Sequence, residues 1–151
     1  MADVWKPGVT VAAVIERDGR FLLVEEVAGG RRVLNQPAGH LDPGESLVAA
    51  CVRETLEETA HAFEPRALVG VYRWHHASSD STYLRFAFAG EVGEAEPSRA
   101  LDKEIVALHW LSVAELRERS PMHRSPLVMR CVDDHLAGRR FPLQVLSSDY
   151  A

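Results

Sequence analysis

Cysteine is scarce here, and so are the features that would place the chain in a membrane, in a secretory route or on a nucleic-acid polymer. Only two cysteines occur in 151 residues. Cys51 and Cys131 each fall in an apolar-periodic stretch, so they read as core thiols rather than as a disulfide, which fits a reducing cytoplasm. No apolar run approaches the roughly 20 residues of a membrane-spanning helix. The opening Met1-Ala2-Asp3-Val4-Trp5-Lys6-Pro7 lacks the basic region and apolar core of a secretory signal. Repeats and low-complexity tracts are missing, and so is an excess of positive charge. The formal net charge is -5, which gives no broad attraction to polymeric nucleic acid, although a local basic pocket could still meet phosphates.

What remains is ordinary for a globular protein, with 46% hydrophobic and 26% charged residues. The length suits one domain over 1–151, and a monomer is expected rather than a homodimer. Branched and aromatic residues at Val9 to Val14 and Phe21 to Glu25 flank Arg17-Asp18-Gly19-Arg20, and Asp-Gly between such runs predicts a β-hairpin. A short strand is expected at Arg31 to Leu34, leading into Asn35-Gln36-Pro37-Ala38-Gly39.

The informative stretch follows. Asp42-Pro43-Gly44 is turn chemistry, and Glu45-Ser46 opens a run of helix formers. At 100° per residue Glu54, Glu57 and Glu58 share one arc, while Val48, Val52 and Leu56 lie on the neighbouring face. Like charges at these spacings repel by a few tenths of a kcal/mol per pair, so the arrangement costs an isolated helix stability. A hard divalent cation such as Mg²⁺, with Mn²⁺ as a substitute, reverses that sign because it takes oxygen ligands from a few carboxylates and from substrate phosphates. A solvated acidic face, helped by Arg53 pairing with Glu57, is the plainer reading of the same letters.

Spacing beyond the helix decides between them. Gly39, five residues, Glu45, seven residues, then Arg53-Glu54-x-x-Glu57-Glu58 resembles the signature of the Nudix hydrolases. The pattern departs at Thr55 and His61, usually aliphatic, and at Ala60, usually glycine; alanine pays for a left-handed conformation that glycine adopts freely. The resemblance extends over most of residues 8–137, the core of the domain, and implies an α/β fold, the Nudix α/β/α sandwich with a mixed β-sheet. It also implies a metal site of Glu54, Glu57, Glu58 and the Gly39 carbonyl, with Arg53 orienting the carboxylates and Glu45 supporting the loop. Nudix enzymes often add an acid from the segment before the last core strand. Asp102 and Glu104 both stand there, and Glu104, nearer the strand, is preferred. The general base stays open, with Glu54 and Glu104 the first to examine.

Further along, Ala67 to Trp74 and Thr82 to Glu91 read as strands of a second hairpin around His75-His76-Ala77-Ser78-Ser79-Asp80-Ser81. Adjacent histidines on a strand point oppositely and lack partners at zinc spacing, so a zinc site is not expected. Tyr72, Trp74, Tyr83, Phe86 and Phe88 alternate as core aromatics do, with one or two of them candidates for touching substrate. Arg85 could reach a substrate phosphate with its fork of donors, or pair with a surface acid. Gly93 to Arg99 reads as a loop and Ile105 to Leu111 as a strand. Ser112-Val113-Ala114-Glu115 is a capping box, and a helix is expected from Ser125-Pro126 to about Gly138. Phe141 to Leu146 reads as a short strand or an extended tail.

Within the family the chain looks most like the NudJ-type bacterial phosphatases, on Lys6-Pro7-x-Val9-Thr10-Val11-Ala12, Asn35-Gln36-Pro37-Ala38-Gly39-His40-Leu41, Leu84-Arg85-Phe86 and Arg124-Ser125-Pro126-Leu127. That resemblance implies hydrolysis of nucleoside tri- and diphosphates with release of orthophosphate, and conversion of hydroxymethylpyrimidine pyrophosphate, a thiamin precursor, to its monophosphate. A Nudix pyrophosphatase of other specificity, for ADP-ribose or an oxidised nucleotide, remains an alternative. So does a noncatalytic nucleotide sensor, although such domains commonly lose the helix carboxylates that this chain keeps.

Overall fold

The computed structural model describes residues 2–148. Strand β1 (Gly8–Val14) runs through the middle of one sheet because its residues 11–14 are buried on both faces, a pattern that suits a strand covered above and below. It pairs in parallel with β7 (Ser81–Ala95) and antiparallel with the short β5 (Ala38–His40), and β6 (His61–His76) completes the order β5-β1-β7-β6. A second, antiparallel sheet centres on β3 (Arg20–Ala28), flanked by β8 (Ile105–Ser112) on one side and by β2 (Glu16–Arg17) and β4 (Arg31–Asn35) on the other.

The Asp18-Gly19 turn forms as expected, with φ of 53° and 76°, but it closes a smaller hairpin than the sequence pattern suggests. Only Glu16 and Arg17 pair with β3; past Ile15 the chain crosses from one sheet to the other, and the Val9–Val14 run belongs with β5 and β7. The hairpin of β6 and β7 is longer than expected. It absorbs the first part of the Gly93–Arg99 loop and takes Pro65 on an edge strand, where a missing N–H costs no ladder bond.

Helix α1 (Leu47–Thr59) packs on one face of the sheets, burying Ala50 and Cys51 with Val11, Ala13, Leu22 and Phe88. Helices α2 (Val113–Glu118) and α3 (Leu127–Leu136) pack on the other, where Leu116, Val128, Cys131 and Val132 meet Ala12, Val14, Phe21 and Leu23. Alternate residues of β1 and β3 thus feed two cores, giving the α/β/α sandwich around mixed and antiparallel sheets. Each fully buried Leu or Val in these layers contributes about 1.5–3 kcal/mol. The Ser112 capping box is present, with its hydroxyl accepting from the Glu115 N–H. Both cysteines are free and buried. Phe141 makes an isolated antiparallel bridge to Leu68, and a single 3-10 turn follows at Leu143–Val145, so the expected tail strand is only one bridge long. Among the described residues no helix is long and apolar enough to cross a membrane.

Candidate active site

Ser46 caps α1 by accepting the Ala49 N–H, and Gly44 supplies the turn before it with φ of 81°. At the far end Ala60 takes the left-handed conformation, φ 58° and ψ 22°, and donates its N–H to the Leu56 carbonyl. The helix therefore ends as a glycine-capped one would, at a conformational cost of about 1 kcal/mol. Between these caps the carboxylates are pinned by one arginine. Arg53 donates to Glu45 through Nε (3.0 Å) and Nη2 (2.7 Å), and to Glu54 (2.9 Å) and Glu57 (3.2 Å) through Nη1. Its Nη2 also reaches the His40 carbonyl at 2.9 Å, tying α1 to β5.

Glu45 in turn accepts the Asp42 N–H, and its bond to Arg53 holds its carboxyl below the usual range. These bonds brace the loop and the arginine. Bonding to Glu45 and Glu54 holds the Arg53 guanidinium more firmly in its charged form.

Gly39 lies against Glu54 so closely that a Cβ built on it would fall 2.0 Å from the Glu54 carboxyl carbon. Its φ is not positive, so the site requires glycine for approach rather than for backbone conformation. Glu58 is buried and accepts the Ala38 N–H at 2.9 Å. Burial pushes its carboxyl up to about 8 against that bond, and the charges of Glu26, Glu54 and Asp102 add to the rise. Burial also raises Glu54, partly offset by Arg53.

Carboxylate oxygens of Glu54, Glu57 and Asp102 lie within 4.8 Å of one another. Asp102, rather than the preferred Glu104, is thus the acid that the segment before β8 adds to this cluster. Its backbone N–H donates to the Glu57 carbonyl, which fixes the segment on the end of α1. Glu104 is exposed and lines the neighbouring cavity instead. The donor set is all oxygen, largely anionic and shaped by a missing Cβ, and it fits a hard divalent ion.

The cavity beside these acids has a volume of about 1020 Å³ and is lined on its acid side by Gly39, Glu54 and Glu58. Arg85 lines it from β7, yet is itself buried. Its Nη1 donates to Gln36 Oε1 and its Nη2 to Asn35 Oδ1, both at 2.9 Å, and Gln36 passes its own N–H to the Val128 carbonyl. No carboxylate pairs with it among the described residues. Two amides take the place of the surface acid that could have claimed Arg85.

Glu26, buried and ion-paired with Arg124, also lines the cavity. Neither it nor Asn35 and Gln36 stood out as charge or metal chemistry in the sequence. The nearest signal was the set of short motifs around residues 35–41, 84–86 and 124–127, which converge here.

The α/β/α sandwich with its acid-bearing helix is the fold of a Nudix hydrolase. The family model of the NUDIX domain matches residues 5–131, and the chain belongs to this family of hydrolases. It is 38% identical over 143 residues to phosphatase NudJ of Escherichia coli K12, covering 95% of this chain and 92% of that protein. Among solved structures it resembles a NUDIX hydrolase from Nitrosomonas europaea with a TM-score of 0.93 and 55% identity, covering 95% of this chain and 97% of the other. A MutT NUDIX hydrolase from Burkholderia pseudomallei superimposes with a TM-score of 0.73 at 25% identity, covering 86% and 98%.

Proposed function

We propose that the protein is a Mg²⁺-dependent phosphatase of small-molecule phosphoric anhydrides. Its substrates would be nucleoside tri- and diphosphates, with release of orthophosphate, and hydroxymethylpyrimidine pyrophosphate, yielding the monophosphate. The observation that carries this reading is the meeting of Glu54, Glu57 and Asp102 oxygens beside a cavity whose floor holds Arg85 without an anionic partner. Likeness to NudJ over nearly the whole chain supports the phosphatase rather than another Nudix specificity.

Glu54, Glu57, Glu58 and the Gly39 carbonyl, joined by Asp102, would hold the metal. When bound, the metal neutralises phosphate oxygens and makes an attacking water more acidic. The protein's own part is positional. Arg53 keeps Glu54 and Glu57 aimed together, and Glu45 keeps Arg53 in place. Glu54, whose proton affinity is raised by burial, is the candidate to take the proton from the attacking water, and Glu104, which lines the same cavity, is the other acid to examine. Arg85, pre-aligned by Asn35 and Gln36, offers its remaining N–H groups to a phosphate.

The deciding experiment incubates the protein with a panel of nucleotides, ADP-ribose and hydroxymethylpyrimidine pyrophosphate, with and without Mg²⁺, and measures orthophosphate and pyrophosphate separately. Orthophosphate from GTP and cleavage of the pyrimidine substrate are expected. GMP and pyrophosphate as the sole products, or activity that survives excess EDTA, would overturn the proposal.

A further inference from the structure

One wall of the cavity is built of rings. Tyr83 stands two residues from Arg85 on β7, hence on the same face of the sheet, and pairs across to Trp74 of β6. Their rings stack with centroids 6.1 Å apart and planes 20° from parallel. His76 lies on the other side of Trp74, 5.0 Å away and tilted by 43°, and His40 lies 6.4 Å from Tyr83. All four rings line the cavity that holds Glu54 and Arg85. Tyr83 rests on a bare stretch of backbone, since a Cβ on Gly8 would come within 3.1 Å of its ring.

Cross-strand aromatic pairs commonly serve packing, and the inner side of Trp74 does meet the core beneath α3. Packing does not explain why the ladder stays only partly buried, nor why it faces the same cavity as the acids. The strand order supplies a ruler. Neighbouring strands lie about 4.8 Å apart, so Trp74 on β6 stands three spacings, roughly 14 Å, from β5, where Gly39 abuts Glu54. Arg85 on β7 falls between them. Acid, cation and ring therefore follow one another across the sheet in the order of metal-bound phosphate, next phosphate and base along an extended nucleoside polyphosphate.

We propose that the ladder of Trp74, Tyr83 and His76 is the subsite for the planar heteroaromatic part of the substrate, holding it by stacking while the terminal phosphate lies at the acids. This inference rests on the anhydride-hydrolase reading above. The polar groups at the outer end are engaged with each other, His76 with Ser78 and Ser79, so no fixed set of donors is aimed at a base edge. Such a wall separates flat rings from ring-free phosphates without separating one base from another. Attack at the far end of the chain and tolerance of the base then share one geometric cause.

The test uses the full chain and its Trp74→Leu, Trp74→Phe and His76→Ala variants. Two readouts are compared: kcat/KM for GTP relative to inorganic triphosphate, and quenching of tryptophan fluorescence by a methylene-bridged GTP analogue with Mg²⁺. Stacking predicts that Trp74→Leu lowers the GTP-to-triphosphate ratio about tenfold, mainly through KM. Trp74→Phe should restore most of it, and the quench should be lost with the indole. Should Trp74→Leu unfold the chain, His76→Ala removes the outer ring without disturbing the core, and the same ratio should fall severalfold. A ratio unmoved in every folded variant overturns the subsite, as does an equal fall for both substrates. Trp74-dependent quenching in a protein that hydrolyses no nucleotide would sink the enzymatic reading and leave the subsite standing.

Discussion

The acid face of α1 and the pocket around Arg85 are built in opposite ways and lack opposite things. On α1, carboxylates crowd together with Arg53 as their shared cation, and burial drives the proton affinity of Glu58 and Glu54 upward. In the pocket a guanidinium is buried against two amide oxygens and the Cys131 sulfur, with no carboxylate paired to it among the described residues. Each region has a deficit of the other's charge, yet one is kept on helix α1 and the other on strand β7, and they do not neutralise one another. A fold selected only for stability would pair them or replace both with apolar groups, since buried charge costs more than it returns unless it is matched. Separation makes sense when ligands bring the missing charges, a divalent cation on one side and a phosphate on the other.

The largest effect should come from breaking the acid side. Glu57→Gln or Glu58→Gln removes a charged oxygen while nearly preserving shape, and steady-state turnover should fall at least about a hundredfold. Gly39→Ala should do comparable damage without touching a carboxylate, because its methyl would occupy the place of the Glu54 head group. A melt beside each assay separates loss of site from loss of fold. Full activity in both Gln variants would remove the metal assignment and with it the asymmetry.

Next in size is the pH dependence of the metal-free protein. The folded-state pKa of Glu58 is raised to about 8, above the 4.5 of an unperturbed carboxyl. Its contribution to stability is therefore fully present below about 4.5 and is lost as pH rises through 8, because folding must then bury a charge. In EDTA the melting temperature should decline across that window by an amount equivalent to roughly 5 kcal/mol at most. Glu58→Gln, which keeps an acceptor for the Ala38 N–H, should flatten the decline. An identical slope in the variant would mean that Glu58 is better solvated than its burial implies.

On the cationic side, Arg85→Lys keeps a charge and loses the fork that Asn35 and Gln36 align. KM for nucleotides should rise about tenfold, with kcat changed less and the melting temperature little affected. Unchanged kinetics would reduce Arg85 to a structural tie between β7 and the loop after β4.

The acid side was far more legible in the sequence than the cationic one, and the reason is chain distance. Glu54, Glu57 and Glu58 lie within five consecutive residues on one helix, so helical periodicity alone brings them together. Arg53 and Glu45 follow from the same short span. Arg85 takes its partners from Asn35 and Gln36, some 50 positions earlier, and which face they share is settled by the parallel pairing of β1 with β7. Nothing local encodes that pairing. Asp102 and Glu104 show the limit within a single loop. Nearness to β8 favoured Glu104, but a backbone bond from Asp102 to Glu57 turns the shorter acid toward the cluster. The early hairpin failed for a related reason. Burial on both faces marks β1 as a covered strand of the mixed sheet, and an Asp-Gly turn at its end could not show where β1 itself would pair.

The smallest expected effect concerns the end of the acid helix. Ala60 adopts a left-handed conformation that costs a non-glycine residue about 1 kcal/mol, so Ala60→Gly relieves that strain. The same change strips a buried methyl worth about 0.8 kcal/mol and frees the unfolded chain by a few tenths more. These terms nearly cancel, and the melting temperature should move by no more than about 3 °C. Activity should not move. The helix end is held by more than its cap: the Ala60 carbonyl accepts the Glu96 N–H, and Asp102 bonds to the Glu57 carbonyl one turn back. If Ala60→Gly instead changed kcat severalfold at constant stability, the aim of the carboxylates would depend on strain stored at the cap. The contrast between a rigid acid face and a ligand-seeking arginine would then have to be redrawn around a helix end that moves.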